Sequence, residues 1–149
     1  MTSEPILTLS AERDPRADEV VSGGIAAFNK AVFGRVDAQI LDILVREAES
    51  GEIVGGLLGH SSLGLFFLDL FYLPEELRGA GLGTRIMALA EGEAKRRGCT
   101  AAFVYTVTFQ APGFYERHGY RRFGEIACPP HGATRIFLSK TLDPDPSER

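Results

Sequence analysis

The sequence predicts an α+β protein, with strands and helices layered around one core. Three observations lead there. Leu65-Phe66-Phe67-Leu68-Asp69-Leu70-Phe71-Tyr72-Leu73 is short, apolar and rich in aromatic and branched residues, the composition of a buried strand. Leu82, Ile86, Leu89, Ala90 and Ala94 recur at three- and four-residue spacing, the pattern of an amphipathic helix. Further segments of both kinds follow one another along the chain, separated by turns containing glycine, proline or serine.

The 149 residues suggest one domain, taken as 1–142, with a polar, proline-containing tail over 143–149. The chain is 44% hydrophobic and 24% charged, enough for a sizeable core. Its formal net charge of −4 argues against general nucleic-acid binding, which needs a basic face. Cys99 and Cys128 lack metal-ligand spacing and are too few for a disulfide framework, so no metal is expected. Met1 to Pro5 has no basic stretch leading into an apolar core, and no apolar run approaches a membrane span of about 20 residues. These features point to the cytoplasm, with no membrane partner.

Ile6 to Leu9 is a short strand candidate, and Ser10 to Pro15 a turn. A helix is expected from Arg16, interrupted at Gly23-Gly24, where each glycine costs about 1 kcal/mol relative to alanine. Ile40 to Val45 and Ile53 to Gly59, joined by Glu49-Ser50-Gly51-Glu52, read as an antiparallel hairpin. The glycines at 55, 56 and 59 allow a bulge or close packing. Ser61 to Gly64 turns the chain into the central strand and completes a meander. The helix from about Gly81 to Arg97 ends in Lys95-Arg96-Arg97, with Gly98 as a left-handed cap. A strand over Ala101–Val107, a short helix at Phe114–His118, and strands over Tyr120–Ala127 and Thr134–Leu142 complete the chain.

Between the central strand and the long helix stands Leu77-Arg78-Gly79-Ala80-Gly81-Leu82-Gly83-Thr84. A glycine-rich turn opening a helix is an anion site, because the amides of the first turn lack partners and face the positive end of the dipole. Gly83 is followed by Thr84-Arg85, not by the lysine of a P-loop, and the glycine spacing departs from the dinucleotide fingerprint. The pattern Arg78-x-x-Gly81-x-Gly83 instead resembles the acetyl-CoA pyrophosphate loop of the GNAT family of N-acetyltransferases. Phe114-Tyr115-Glu116-Arg117-His118-Gly119-Tyr120 resembles the second motif of the same family. The resemblance runs from Leu65 to Leu142. It implies a mixed, mostly antiparallel sheet of six to seven strands flanked by about four helices. It also implies acetyl-CoA as cosubstrate, an amine acceptor on a small molecule or protein, and a homodimer. Many members carry an asparagine after the strand preceding the second motif, and Thr108-Phe109-Gln110 has none. On this resemblance, the backbone of Gly79, Ala80, Gly81, Leu82, Gly83 and Thr84 would hold the pyrophosphate, with charge from Arg78 and Arg85. Phe71 to Leu73 would offer backbone groups to the pantetheine amides.

The implied reaction is attack of an amine on a thioester. The amine, with a pKa near about 10, must become neutral; the carbonyl oxygen needs a donor; and the leaving thiolate needs a proton. A backbone amide near Leu73 is the expected oxyanion donor. The resemblance assigns the acid to Tyr115. For the base, Asp69 interrupts an apolar strand and is expected in a low-dielectric site. Glu47, His60, His131 and a water relay stand beside it as alternatives. Phe28, Asn29 and Phe33 are candidates for the acceptor pocket, and the net acidity favours a small cationic amine. A non-catalytic acetyl-CoA-binding sensor is the rival reading.

Overall fold

The computed structural model describes residues 3–129 and 132–144. The chain forms two compact units, residues 1–36 and 37–149. In the first, Ile6 to Leu9 forms no strand: four residues offer too few ladder bonds to hold an extended segment without a partner. Helix α1 (Pro15–Phe33) runs unbroken through Gly23-Gly24. Strong ends offset the cost of those glycines. Asp14 caps the first turn by accepting from the Arg16 amide at 2.9 Å, Pro15 presets the first helical residue, and the Gly34 amide closes on the Lys30 carbonyl at 2.8 Å.

The second unit is built on six strands: β1 (Gln39–Arg46), β2 (Ile53–Ser62), β3 (Leu65–Tyr72), β4 (Ala101–Val107), β5 (Arg121–Ala127) and β6 (Thr134–Thr141). Their order across the sheet is β1-β2-β3-β4-β6-β5. Every pairing is antiparallel except β3 with β4, where helix α2 (Leu82–Arg96) makes the crossover. A third helix, α3 (Pro112–Arg117), follows β4, and a 3-10 turn spans Glu75–Leu77. Ser61 and Ser62, expected in a turn, end β2. The turn is only Leu63-Gly64, both at positive φ, the handedness that suits a two-residue hairpin.

The core lies between the sheet and α2. Phe66, Leu57, Ile136 and Leu138 from the strands meet Ile86, Met87, Ala90 and Ala94 from the helix, all essentially inaccessible to water. α2 ends as its sequence predicts, with the Cys99 amide on the Ala94 carbonyl and the Gly98 amide on that of Lys95. One glycine is dictated by close approach: a Cβ at Gly59 would stand 2.5 Å from the Phe67 carbonyl oxygen. β2 and β3 are pressed together there, next to a register shift that shapes the site.

Candidate active site

β3 pairs with β4 only from Leu65↔Ala101 to Leu68↔Val104. Beyond that point β3 runs on to Tyr72 and β4 to Val107 without touching ladders, and the sheet opens. The cause lies on the other side of β3. Gly59 pairs with Leu68 and Leu58 with Leu70, so Asp69 is an extra residue on β3. Such a bulge bends and twists its strand, and β3 turns away while β4 stays paired to β6 as far as Val107↔Arg135. On the side facing the opening, the backbone groups of residues 69–72 have no ladder partner.

The glycine-rich loop lies at the mouth of this opening. The Arg78 Nε–H donates to the Leu73 carbonyl at 2.8 Å, which lays the guanidinium over the end of β3. Gly79 (φ +84°) and Gly81 (φ +82°) take a left-handed conformation, with open space where their side chains would be. Gly81 caps α2 without a side-chain bond, and the first helical bond runs from the Arg85 amide to the Gly81 carbonyl. The amides of Leu82, Gly83 and Thr84 therefore have no intrahelical acceptor. Arg85 is exposed in the same turn, Ala80 is exposed in the loop, and Leu82 packs on the core.

α3 closes the third side. The Phe114 ring stands edge-on to Phe71, 5.6 Å between centroids, and a Cβ on Gly83 would come within 3.0 Å of it. Gly83 therefore brings α2 onto α3. A second tie joins them. His118 Nδ1 lies 2.7 Å from the Phe114 carbonyl, which can only accept, so Nδ1 carries the proton. Nε2 then accepts from the Thr84 hydroxyl at 3.0 Å. Tyr115, 8% exposed, packs edge-on to Tyr120 and Phe114. Burial pushes its pKa up to about 12, so it is a phenol at neutral pH. Its hydroxyl bonds to no other described residue.

Residues 39–122 match the Acetyltransferase (GNAT) domain family. The chain is 33% identical to an acetyltransferase of Agrobacterium fabrum, across 89% of this chain and 96% of that one. It is 42% identical to the blasticidin-S acetyltransferase of Streptomyces morookaense, across 72% and 81%. An Agrobacterium tumefaciens crystal structure, assigned as an acetyltransferase, superposes with a TM-score of 0.85 at 32% identity, covering 93% of this chain and all of that one. The chain belongs to the GNAT acetyltransferase family.

That family uses acetyl-CoA. In this GNAT domain β3, the first turn of α2 and α3 meet at Phe114, which contacts Phe71, stands against Gly83 and packs on Tyr115. Asp69 differs from expectation. It is half exposed rather than in a low-dielectric site, because the bulge turns it out of the apolar run. Its carboxylate instead holds His60, with Nδ1 2.7 Å from Oδ2. Glu47 is exposed in the β1–β2 turn, where its amide donates to the Glu52 carbonyl. His131 lies outside the described residues, and Phe28, Asn29 and Phe33 lie on α1 in the first unit. The sequence reading missed His118. Its four-residue spacing from Phe114 was visible, but its tie to Thr84 crosses 34 residues. Among the described residues, no helix is long and apolar enough to cross a membrane.

Proposed function

We propose that this chain moves an acetyl group from acetyl-CoA directly to an amine. The observation that supports this reading best is the opening between β3 and β4, flanked by the unpartnered amides of α2 and by a protonated, buried phenol. The amides of residues 79–84 would hold the pyrophosphate, with Arg78 and Arg85 adding charge. The backbone of Phe71 to Leu73 would bond the pantetheine amides as an added strand does. One of the unpaired β3 amides would receive the developing oxyanion, an interaction worth about 3 kcal/mol in comparable sites. The Tyr115 hydroxyl would donate to the leaving sulfur: a phenol with its pKa raised to about 12 keeps its proton at neutral pH and can hydrogen-bond the negative charge that builds on sulfur as the C–S bond breaks. The acceptor is a small cationic amine. The net charge of −4 supports this, as does the relative named for blasticidin S.

Calorimetry with acetyl-CoA, with ATP and NAD as controls, tests the donor. Gly81→Glu puts a charged side chain at a left-handed position in the loop and should reduce acetyl-CoA affinity at least tenfold. Thiol release with blasticidin S and a panel of primary amines then tests the transfer. Absence of acetyl-CoA binding would show that the glycine loop serves another anion.

A further inference from the structure

We propose that His60, oriented by Asp69, is the base that takes the proton from the attacking amine. The inference rests on the transfer reading above and supplies the group that reading leaves open. His60 sits on β2 directly across from Phe67, and its ring stacks on the Phe67 ring at 4.7 Å with an interplanar angle of 8°. Stacking fixes the plane of the imidazole, and the 2.7 Å bond to Asp69 fixes its rotation. Because a carboxylate only accepts, the bond places the proton of the neutral ring on Nδ1. Nε2 then carries the lone pair, and it has no partner among the described residues. A base held by a carboxylate behind it, with its other nitrogen open, has the arrangement that activates nucleophiles in many transferases and hydrolases.

Position strengthens the inference. Asp69 is the bulged residue, immediately after the last β3–β4 pair, Leu68↔Val104. The dyad therefore stands at the apex of the opening. Leu57, Gly59 and Ser61 of β2 are buried on the α2 side, and His60 alternates with them, so it lies on the opposite face. Tyr115 belongs to the core on the α2 side. An acyl transfer needs two proton-handling groups, one for the nucleophile and one for the leaving group, on either side of the reacting carbon. Tyr115 and the dyad lie on opposite faces of the sheet.

The strands flanking His60 carry three charged groups: Asp69 and Asp42 near it, and Arg46 at the far end of β1, where it pairs with Ile53 and donates to the Gly51 carbonyl. Asp69 contacts it from β3. Asp42, on β1, is two residues along the same face from Ile40, the residue paired with His60, and accepts the Gly59 amide at 3.2 Å. Two carboxylates beside the base suit a cationic acceptor. The step balances. The ammonium first loses one proton to solvent, and the neutral amine attacks the carbonyl carbon. His60 Nε2 takes a proton from the nitrogen as the new C–N bond forms. The C–S bond breaks with the Tyr115 hydroxyl donating to the sulfur. Water carries the proton from the imidazolium to the thiolate.

The test uses the full chain and the amine that gives the fastest thiol release. His60→Gln should lower kcat/KM for the amine about 100-fold. The KM for acetyl-CoA should stay within twofold. Asp69→Asn should lower the same kcat/KM about tenfold, and the nitrogen-15 spectrum of His60 should lose its preference for the Nδ1–H form. Free imidazole should restore part of the rate to His60→Ala and none to Tyr115→Phe. If His60→Gln misfolds, seen as lost acetyl-CoA affinity, the Asp69→Asn rate and spectrum decide. A His60→Gln protein with wild-type kcat/KM for the amine overturns the proposal while leaving the transfer reading in place. Wild-type protein that binds acetyl-CoA yet releases no thiol with any amine overturns both.

Discussion

The two halves of β3 share a composition and differ in fate. From Leu65 to Leu68 the strand has a ladder on each side, and Phe66 and Leu68 are sealed in the core at 0% and 3% exposure. From Asp69 to Tyr72 it keeps only β2 as a neighbour, and Leu70 and Tyr72 are 66% and 60% exposed. One extra residue at the boundary separates scaffold from site. Rigidity comes from the paired half, and unpaired backbone groups come from the other. A strand that stayed paired throughout would leave no gap, and one unpaired throughout would have no fixed position.

The largest effect expected from this contrast is on stability. Phe66→Ala should cost about 3–5 kcal/mol, since it removes a fully buried ring from a site that α2 and β2 hold open. Tyr72→Ala, six residues along the same strand, should change stability by no more than about 0.5 kcal/mol. Urea unfolding of both variants measures the difference. Equal losses would mean that the open half of β3 is as tightly integrated as the paired half.

Next comes an effect on rate. Tyr115→Phe should lower kcat about 100-fold while leaving acetyl-CoA affinity unchanged, because the ring still packs and only the proton is lost. As the proposed acid, Tyr115 must be protonated to act, and its pKa is raised to about 12. Activity should therefore hold as pH rises through the ordinary tyrosine range near 10, and the phenol should be lost as an acid only near 12. A kcat unchanged in Tyr115→Phe would leave the residue a packing role alone.

Most of the paired region was legible in the sequence, and much of the open region was not. Strand runs such as Ala101–Val107 and the end of α2 at Gly98 depend on local patterns, which apolar period and capping chemistry report directly. The left-handed turn before α2 was legible because Gly79 and Gly81 supply the positive φ that it needs. Asp69 interrupts an apolar run, which by sequence alone implies a low-dielectric site, yet its side chain is half exposed. Whether it is buried depends on register with β2, and a bulge one residue long leaves no periodic trace. The pairing of His60 with Asp69 and that of Thr84 with His118 follow from strand pairing and helix placement, so neither could be read from spacing. In the first unit, the glycine pair at 23–24 suggested a broken helix. Capping at Asp14 and Gly34 outweighed it, a competition that residue-by-residue propensity does not capture.

The smallest effect concerns how α2 is fastened at the closed end. Its first turn meets α3 and leaves backbone amides unpaired, while its last turn is tied to the sheet. Glu93 binds Arg96 and Arg97, at 2.6 and 2.7 Å, and Arg97 in turn donates to the Ser61 hydroxyl at 3.0 Å. These bonds, first to Arg96 and then to Arg97, lower the Glu93 carboxyl pKa from 4.5 to about 2. A carboxylate whose folded pKa is depressed stabilises the fold above its unfolded pKa and stops doing so as pH falls through the folded value. The contribution of Glu93 should thus be complete above about pH 4.5 and fade between there and about pH 2. Glu93→Gln should be modestly less stable than the wild type at neutral pH, and the gap in urea midpoint should close across that acidic window. Acetyl-CoA affinity should be untouched, since the other end of α2 carries the amides. A gap that persists unchanged at pH 2 would mean that Glu93 acts through packing rather than charge. A loss of acetyl-CoA affinity would mean that the two ends of α2 are not independent, and the contrast between fastened and open regions would have to be redrawn.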